Sequence, residues 1–229
     1  MGSNYTVKYD VDVVFCIDAT GSMDHILDMV KTNAVNFYQD FQREMNRKHK
    51  KSDGLRLRII AFRDYVYDKQ DAMLETDFFS LPEQAYDLEA CVKSIEAFGG
   101  GDPEEDGLEA LTYAMHSDWR RTSSKRRHVI VVWSDDGTHE IGFADKKYPE
   151  YPKGMPKDFN ELTLRWGSPG HPGIMDQDAK RLVLFTPDYR YWSDITNNWD
   201  KVIHFQSEAG KGLKSVDYEQ ILDVITNSI

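Results

Sequence analysis

Asp18, Thr20 and Ser22 stand two residues apart in "VVFCIDATGSMDHI" (13–26), where an apolar run ends in one carboxylate and two hydroxyls around Gly21. Two further segments are built alike: "GGGDPEED" (99–106) and "SDDG" (134–137). Carboxylates that converge repel one another unless a cation lies between them. A donor set made only of carboxylates and hydroxyls suits Mg²⁺, Mn²⁺ or Ca²⁺ rather than zinc. Asp18, Thr20 and Ser22 therefore read as ligands of a hard divalent ion. The competing reading is a helix N-cap, since Ser and Thr ahead of "MDHIL" would cap well, but capping explains neither of the other two segments.

The elements that must bring these segments together follow from periodicity. Apolar runs alternate with helical patterns, the rhythm of a parallel sheet covered on both faces. "VDVVFCI" (11–17), "LRLRIIAF" (55–62), "RHVIVVWS" (127–134), "RLVLFT" (181–186) and "KVIHF" (201–205) read as strands, and "MLETDFFSL" (73–81) as a short edge strand. Helices are expected from Met23 to about Lys50, over "EQAYDLEACVKSIEAF" up to the glycines at 99–101, over "PEEDGLEALTYAMHSDW", and over 217–229. In such sheets the loops leaving the carboxyl ends of the strands share one rim, where ligands bind. All three oxygen-rich segments fall on those loops.

Twenty-eight Lys and Arg against 39 Asp and Glu leave a net charge of −11, which repels phosphate backbones and argues against a nucleic-acid role. Cys16 and Cys91 lie in no metal-binding spacing and read as reduced core residues. No apolar run reaches the roughly 18 residues of a membrane span, and the start lacks the order of a signal peptide, so a soluble cytoplasmic protein is expected. "MGSNYT" fits the short myristoylation pattern.

With these residues in place, the chain resembles the von Willebrand factor A (VWA) domains and their metal-ion-dependent adhesion site. The family's D-x-S-x-S motif is matched by Asp18-Ala19-Thr20-Gly21-Ser22, and its downstream aspartate before glycine by Asp136-Gly137. "GGGDPEED" resembles the variant of some intracellular members, including ones joined to atypical protein kinase domains, and "FRDY" (62–65) adds to the likeness. The resemblance implies one Rossmann-like α/β domain over residues 1–229, with a central, mostly parallel sheet, one antiparallel edge strand and helices on both faces. It also implies a metal set of Asp18, Thr20, Ser22, Asp102 and Asp136, with Asp102 direct or through water and Asp135 supporting the loop. Function would then be metal-dependent binding of a protein partner that supplies Asp or Glu to the ion, in a scaffold or regulatory role.

Two other readings stay open: a metal-dependent hydrolase using His139 or Glu140, which otherwise read as solvated loop residues, and a homologue that binds no metal. There is no H-E-x-x-H, G-x-S-x-G or P-loop. Arg63 and Asp64 read as a pair near the rim. The segment 135–159 is too long for an ordinary connection and reads as an elaborated loop with some helix near its end. Its Phe143, Tyr148, Tyr151 and Met155, with Lys146, Lys147, Lys153 and Lys157, suit docking of an acidic partner; the alternative is a loop folded back as a cover.

Overall fold

A computed structural model describes residues 8–122, 125–207 and 218–227. The "MGSNYT" start and the end residues of the helix expected over 217–229 lie outside them. In chain order the elements are β1 (Lys8–Asp18), a 3₁₀ turn at Gly21–Met23, α1 (Asp24–Arg47), β2 (Lys51–Phe62), β3 (Met73–Glu75), β4 (Phe79–Leu81), α2 (Ala85–Ser94), β5 (Glu104–Glu105) and α3 (Gly107–Met115). These are followed by β6 (Arg126–Trp133), β7 (Gly137–Thr138), α4 (Phe159–Trp166), β8 (Gly167–Ser168), β9 (His171–Pro172), β10 (Lys180–Pro187), α5 (Arg190–Asn198), β11 (Val202–Ser207) and α6 (Tyr218–Asn227).

The main sheet runs β11-β10-β6-β1-β2-β3, with β4 also paired to β2. All its pairings are parallel except those of β3 and β4, so the α/β fold with a mostly parallel sheet is as expected. Strand period sets the two faces. Val13, Phe15 and Ile17 of β1 enter one apolar cluster with α1, α2 and α6, while Val14 and Cys16 enter the other with α3, α4 and α5. Among the described residues, no helix is long and apolar enough to cross a membrane.

Several boundaries differ from the sequence reading. The edge strand over 73–81 is two short strands separated by residues 76–78, both antiparallel to β2. Helix α5 carries too few apolar residues in a row to stand out, yet it buries Tyr191, Trp192 and Ile195. "PEED" is not the first turn of α3: Glu104 and Glu105 form β5, which pairs with β7 in a two-stranded parallel ribbon. Cys91 is half-buried rather than core.

Gly107 opens α3 under the fully buried Trp192, whose ring atoms lie 2.7 Å from where a Cβ would stand. Trp192 Nε1 in turn donates to the Asp136 carbonyl at 3.2 Å, so packing beneath α3 steadies the loop after β6. Gly107→Ala is expected to cost about 1–3 kcal/mol, the usual penalty for overpacking a filled core, read from the urea midpoint.

Candidate metal centre

Strand β1 delivers Asp18 to the rim completely buried. Its Oδ1 accepts from the Thr20 amide at 3.0 Å and the Thr20 hydroxyl at 2.6 Å, and its Oδ2 accepts from Ser134 Oγ at 2.7 Å. The Thr20 and Ser22 hydroxyls are 3.2 Å apart, and Ser22 Oγ donates to Asp135 Oδ1 at 2.9 Å. The side chains from the "DATGS" turn and the end of β6 thus form one continuous chain of oxygens. Asp135, which the sequence reading assigned to loop support, is the acid that meets Ser22. Its Oδ2 is buried without a partner.

Asp136 is half-buried, and its Oδ1 accepts from the adjacent Gly137 amide at 2.8 Å. It lines the same cleft as Thr20 and Ser22, a concavity of about 450 Å³ walled on the far side by Gly99–Gly101, Asp102 and Glu105. Asp102 is partly exposed, and its Oδ1 lies 3.3 Å from His139 Nε2. Four of the five expected residues therefore line one cleft, Asp102 and Asp136 at its walls, and the fifth, the buried Asp18, meets it through Thr20.

The triple glycine has a backbone reason. Gly99 and Gly100 have φ of 74° and 73°, the left-handed region, and a Cβ on Gly99 would stand 1.9 Å from Asp68 Oδ1. Asp68 Oδ2 accepts from the Gly100 amide at 3.0 Å, latching this loop to the turn after β2. Arg63 does not pair with Asp64. Its buried guanidinium donates to the carbonyls of Ala19, Asp71 and Glu96 at 3.0, 2.9 and 2.6 Å, tying the first two oxygen-rich loops to the turn between β2 and β3.

Burial raises the Asp18 carboxyl from its ordinary 3.8 to about 6, against the hydrogen bonds from Thr20 and Ser134; the charge of Asp135 adds to the rise. Burial, together with the charges of Asp18, Asp64 and Asp106, lifts Glu105 to about 10. Burial likewise raises Asp136. These are the shifts expected of acids gathered without enough positive charge.

The residues fit a hard divalent ion on three counts. Every donor in the Asp18–Thr20–Ser22–Asp135 chain is an oxygen. Bond lengths near 2.1 Å in an octahedron put neighbouring ligands about 3 Å apart, close to the 3.2 Å between the two hydroxyls. Buried carboxylate oxygens on Asp135 and Glu105 have no partner, which is costly unless a cation or proton satisfies them.

Sequence reasoning placed His139 and Glu140 together in solvent. Glu140 is exposed, but His139 is buried, stacked on Phe143 with centroids 4.0 Å apart. Its Nε2 is 3.0 Å from Asp64 Oδ2, and its Nδ1 is 3.3 Å from Glu104 Oε2. Burial pulls the imidazole pKa down, but the hydrogen bond with Asp64 and the charges of Asp102, Asp64 and Glu104 outweigh it and leave the pKa raised. The short β5–β7 ribbon is what sets His139 beside Asp102 and Glu104. Two-residue strands leave no period to read.

The 135–159 segment is a cover. Tyr148 and Tyr151, expected to meet a partner, are each 9% exposed and pack around Tyr65, and Tyr151 donates to the buried Glu109 at 2.6 Å. Lys146, Lys147, Lys153 and Lys157 remain exposed. The aromatics are buried because the turn after β2 presents an apolar surface, Tyr65 and Ala72, for them to fill.

No protein-family model matches the chain. A curated relative, the alpha-protein kinase vwkA of Dictyostelium discoideum, is 27% identical over 149 residues, which is 64% of this chain and 21% of the relative. The chain thus spans about a fifth of that relative's length. Among solved structures, the pilus adhesin SpaC of Lactobacillus rhamnosus GG superposes with a TM-score of 0.55 at 14% identity, covering 96% of this chain and 31% of the adhesin. Its open conformation gives 0.52 at 15% identity, covering 96% and 30%. At these identities the likeness to the adhesin is one of fold alone.

Proposed function

We propose that the chain is a VWA-type domain that binds a divalent cation, Mg²⁺ or else Mn²⁺ or Ca²⁺, at the rim cleft and uses it to hold a carboxylate of a protein partner. The observation that carries this reading is the chain Asp18–Thr20–Ser22–Asp135, four oxygen-bearing side chains joined at the carboxyl ends of β1 and β6 with buried acid in excess. When bound, such an ion supplies an electrophilic coordination position that accepts an external carboxylate oxygen. Thr20 and Ser22 present neutral hydroxyls, which leave positive charge on the site, while Asp18 and Ser134 orient the Thr20 side of the turn. Asp102 and Asp136 line the walls, where they reach the site directly or through water.

Binding is favoured over hydrolysis by what happens to the two candidate bases. Glu140 faces solvent, and both ring nitrogens of His139 are engaged by carboxylates. Unpaired Cys16 and Cys91 suit a reducing compartment, and we assign the domain to the cytoplasm. The relative whose name describes a kinase fits a regulatory or scaffolding domain within a longer protein.

The two acids after β6 separate by mutation. Asp135→Asn is expected to weaken Mg²⁺ binding at least 10-fold by calorimetry, and Asp136→Asn to weaken it less. The opposite order would move the ligand role to Asp136.

Proton linkage gives a second test. Because folding raises the Asp18 pKa to about 6, the ionised carboxylate burdens the metal-free fold increasingly as pH rises through 4 to 6. That difference is worth roughly 3 kcal/mol at ~1.4 kcal/mol per pH unit. Metal binding needs the ionised form, so the Mg²⁺-induced rise in Tm should be large at pH 7.5 and small at pH 5. Asp18→Asn should remove the Mg²⁺ shift at both pH values while leaving the metal-free protein at least as stable as wild type. A full Mg²⁺ shift in Asp18→Asn would overturn the site.

A further inference from the structure

His139 is more than a partner for surplus acid. Its Nδ1 lies 3.3 Å from Glu104 Oε2, while its Nε2 shares a hydrogen bond with Asp64 Oδ2; the tautomer that gives the Nδ1 proton to Glu104 frees the Nε2 lone pair for a cation. That lone pair would then point at Asp64 Oδ2, 3.0 Å away, and Asp102 Oδ1, 3.3 Å away. In that tautomer three electron-rich atoms face one another, and a cation joining them relieves the repulsion. Among the described residues, this is the one set of three His, Cys or acidic donors whose atoms all lie within 4.8 Å of one another. Metal–ligand bonds of about 2.0–2.2 Å place neighbouring donors roughly 3.0–3.4 Å apart, which matches the two distances from His139 Nε2.

A second observation points the same way. Asp106 is fully buried; its Oδ2 accepts from the Tyr65 amide at 2.6 Å, but its Oδ1 has no partner. Burial and the charge of Glu109, then those of Asp64 and Asp102, raise its pKa, so this unsatisfied oxygen belongs to the same acidic region of the rim. Asp64 is held for the role, since its Oδ1 accepts from the Val66 and Tyr67 amides and leaves Oδ2 for His139. The Phe143 ring, stacked at 16° to the imidazole, fixes the ring plane. Asp102 is the solvent-facing member, and so the route of entry.

We propose that Asp64, Asp102 and His139 form a second cation site, distinct from the Asp18 centre and selective for an ion that takes imidazole readily, such as Zn²⁺. Selectivity follows from the imidazole, which Mg²⁺ and Ca²⁺ accept poorly beside all-oxygen alternatives. Asp102, lining the first cleft as well, makes the two sites neighbours. Glu104 acts as a positioning residue through Nδ1. The simplest rival is a second proton on His139, which the same distances would accommodate.

Zn²⁺ titration of the full chain by calorimetry, with millimolar Mg²⁺ throughout, tests this directly. Wild type should bind one Zn²⁺, Asp18→Asn should bind it as tightly, His139→Gln should lose at least 10-fold, and Glu104→Gln about 10-fold. Long-range ¹H–¹⁵N NMR of the wild-type His139 ring removes any dependence on how the variants fold. Zn²⁺ should shift Nε2 and leave Nδ1 protonated. A ring unaffected by Zn²⁺, or a folded His139→Gln that binds as wild type, overturns the proposal and leaves His139 a doubly protonated partner of the three acids. A wild-type protein that shows no Mg²⁺ effect yet still binds Zn²⁺ would count against the Asp18 centre alone.

Discussion

Buried negative charge at the carboxyl end of the sheet is the constraint around which this molecule is arranged. Asp18, Asp64, Glu105, Asp106, Glu109 and Asp135 are all buried there. Burying an ionised carboxylate without a partner costs several kcal/mol. Two buried basic side chains stand near them, and they are used differently. Arg63 gives its hydrogen bonds to backbone carbonyls, whereas His139 lies among carboxylates. What the fixed charges do not balance favours proton uptake, in the direction of the raised pKa of Asp18, Glu105, Asp106 and Glu109. A divalent ion would relieve the same imbalance and compete with those protons.

The fold exists in a form that can hold such a cluster because its loops are tied to one another before any ligand arrives. Arg63 joins the Ala19 carbonyl to Glu96 and Asp71, and Asp68 clasps Gly100. Phe98 donates to the Ala19 carbonyl at 3.1 Å, so the turn holding Thr20 and the strand-like run before the glycines move as one. The ribbon of β5 and β7 does the same for Asp102 and His139, through the His139 amide on the Glu105 carbonyl at 2.9 Å. Preorganisation of this kind lets neutral hydroxyls be ligands, because their positions are set by backbone that is already fixed.

The sheet and the first cleft were legible because their signals are local. Strand β1 reads as an apolar run, and two-residue spacing from Asp18 to Ser22 puts three oxygens on one turn whatever follows. The glycines at 99–101 announce a tight loop, although Asp68 as their reason lies over 30 residues away. Asp135 and Asp136 are adjacent, and sequence carries no information about which carboxylate turns toward Ser22; the ring of Trp192 on the Asp136 carbonyl helps decide it. His139 was hidden for a related cause. Its environment is built from residues 64, 102 and 104, brought together by a ribbon too short to have periodicity. For the aromatics at 148 and 151 the choice between docking and cover stayed open in the sequence, because exposure of a loop depends on what lies beneath it, here Tyr65.

The central claim is that a divalent ion sits where the Thr20 and Ser22 hydroxyls meet the acids of the rim. An anomalous difference map from crystals grown with Mn²⁺ addresses it most directly, since it locates the ion without reference to any variant. The account predicts a peak about 2.2 Å from both hydroxyl oxygens, with Asp18 and Asp135 around it. Crystals that show the loops ordered as described but carry no anomalous peak at the two hydroxyls would contradict it.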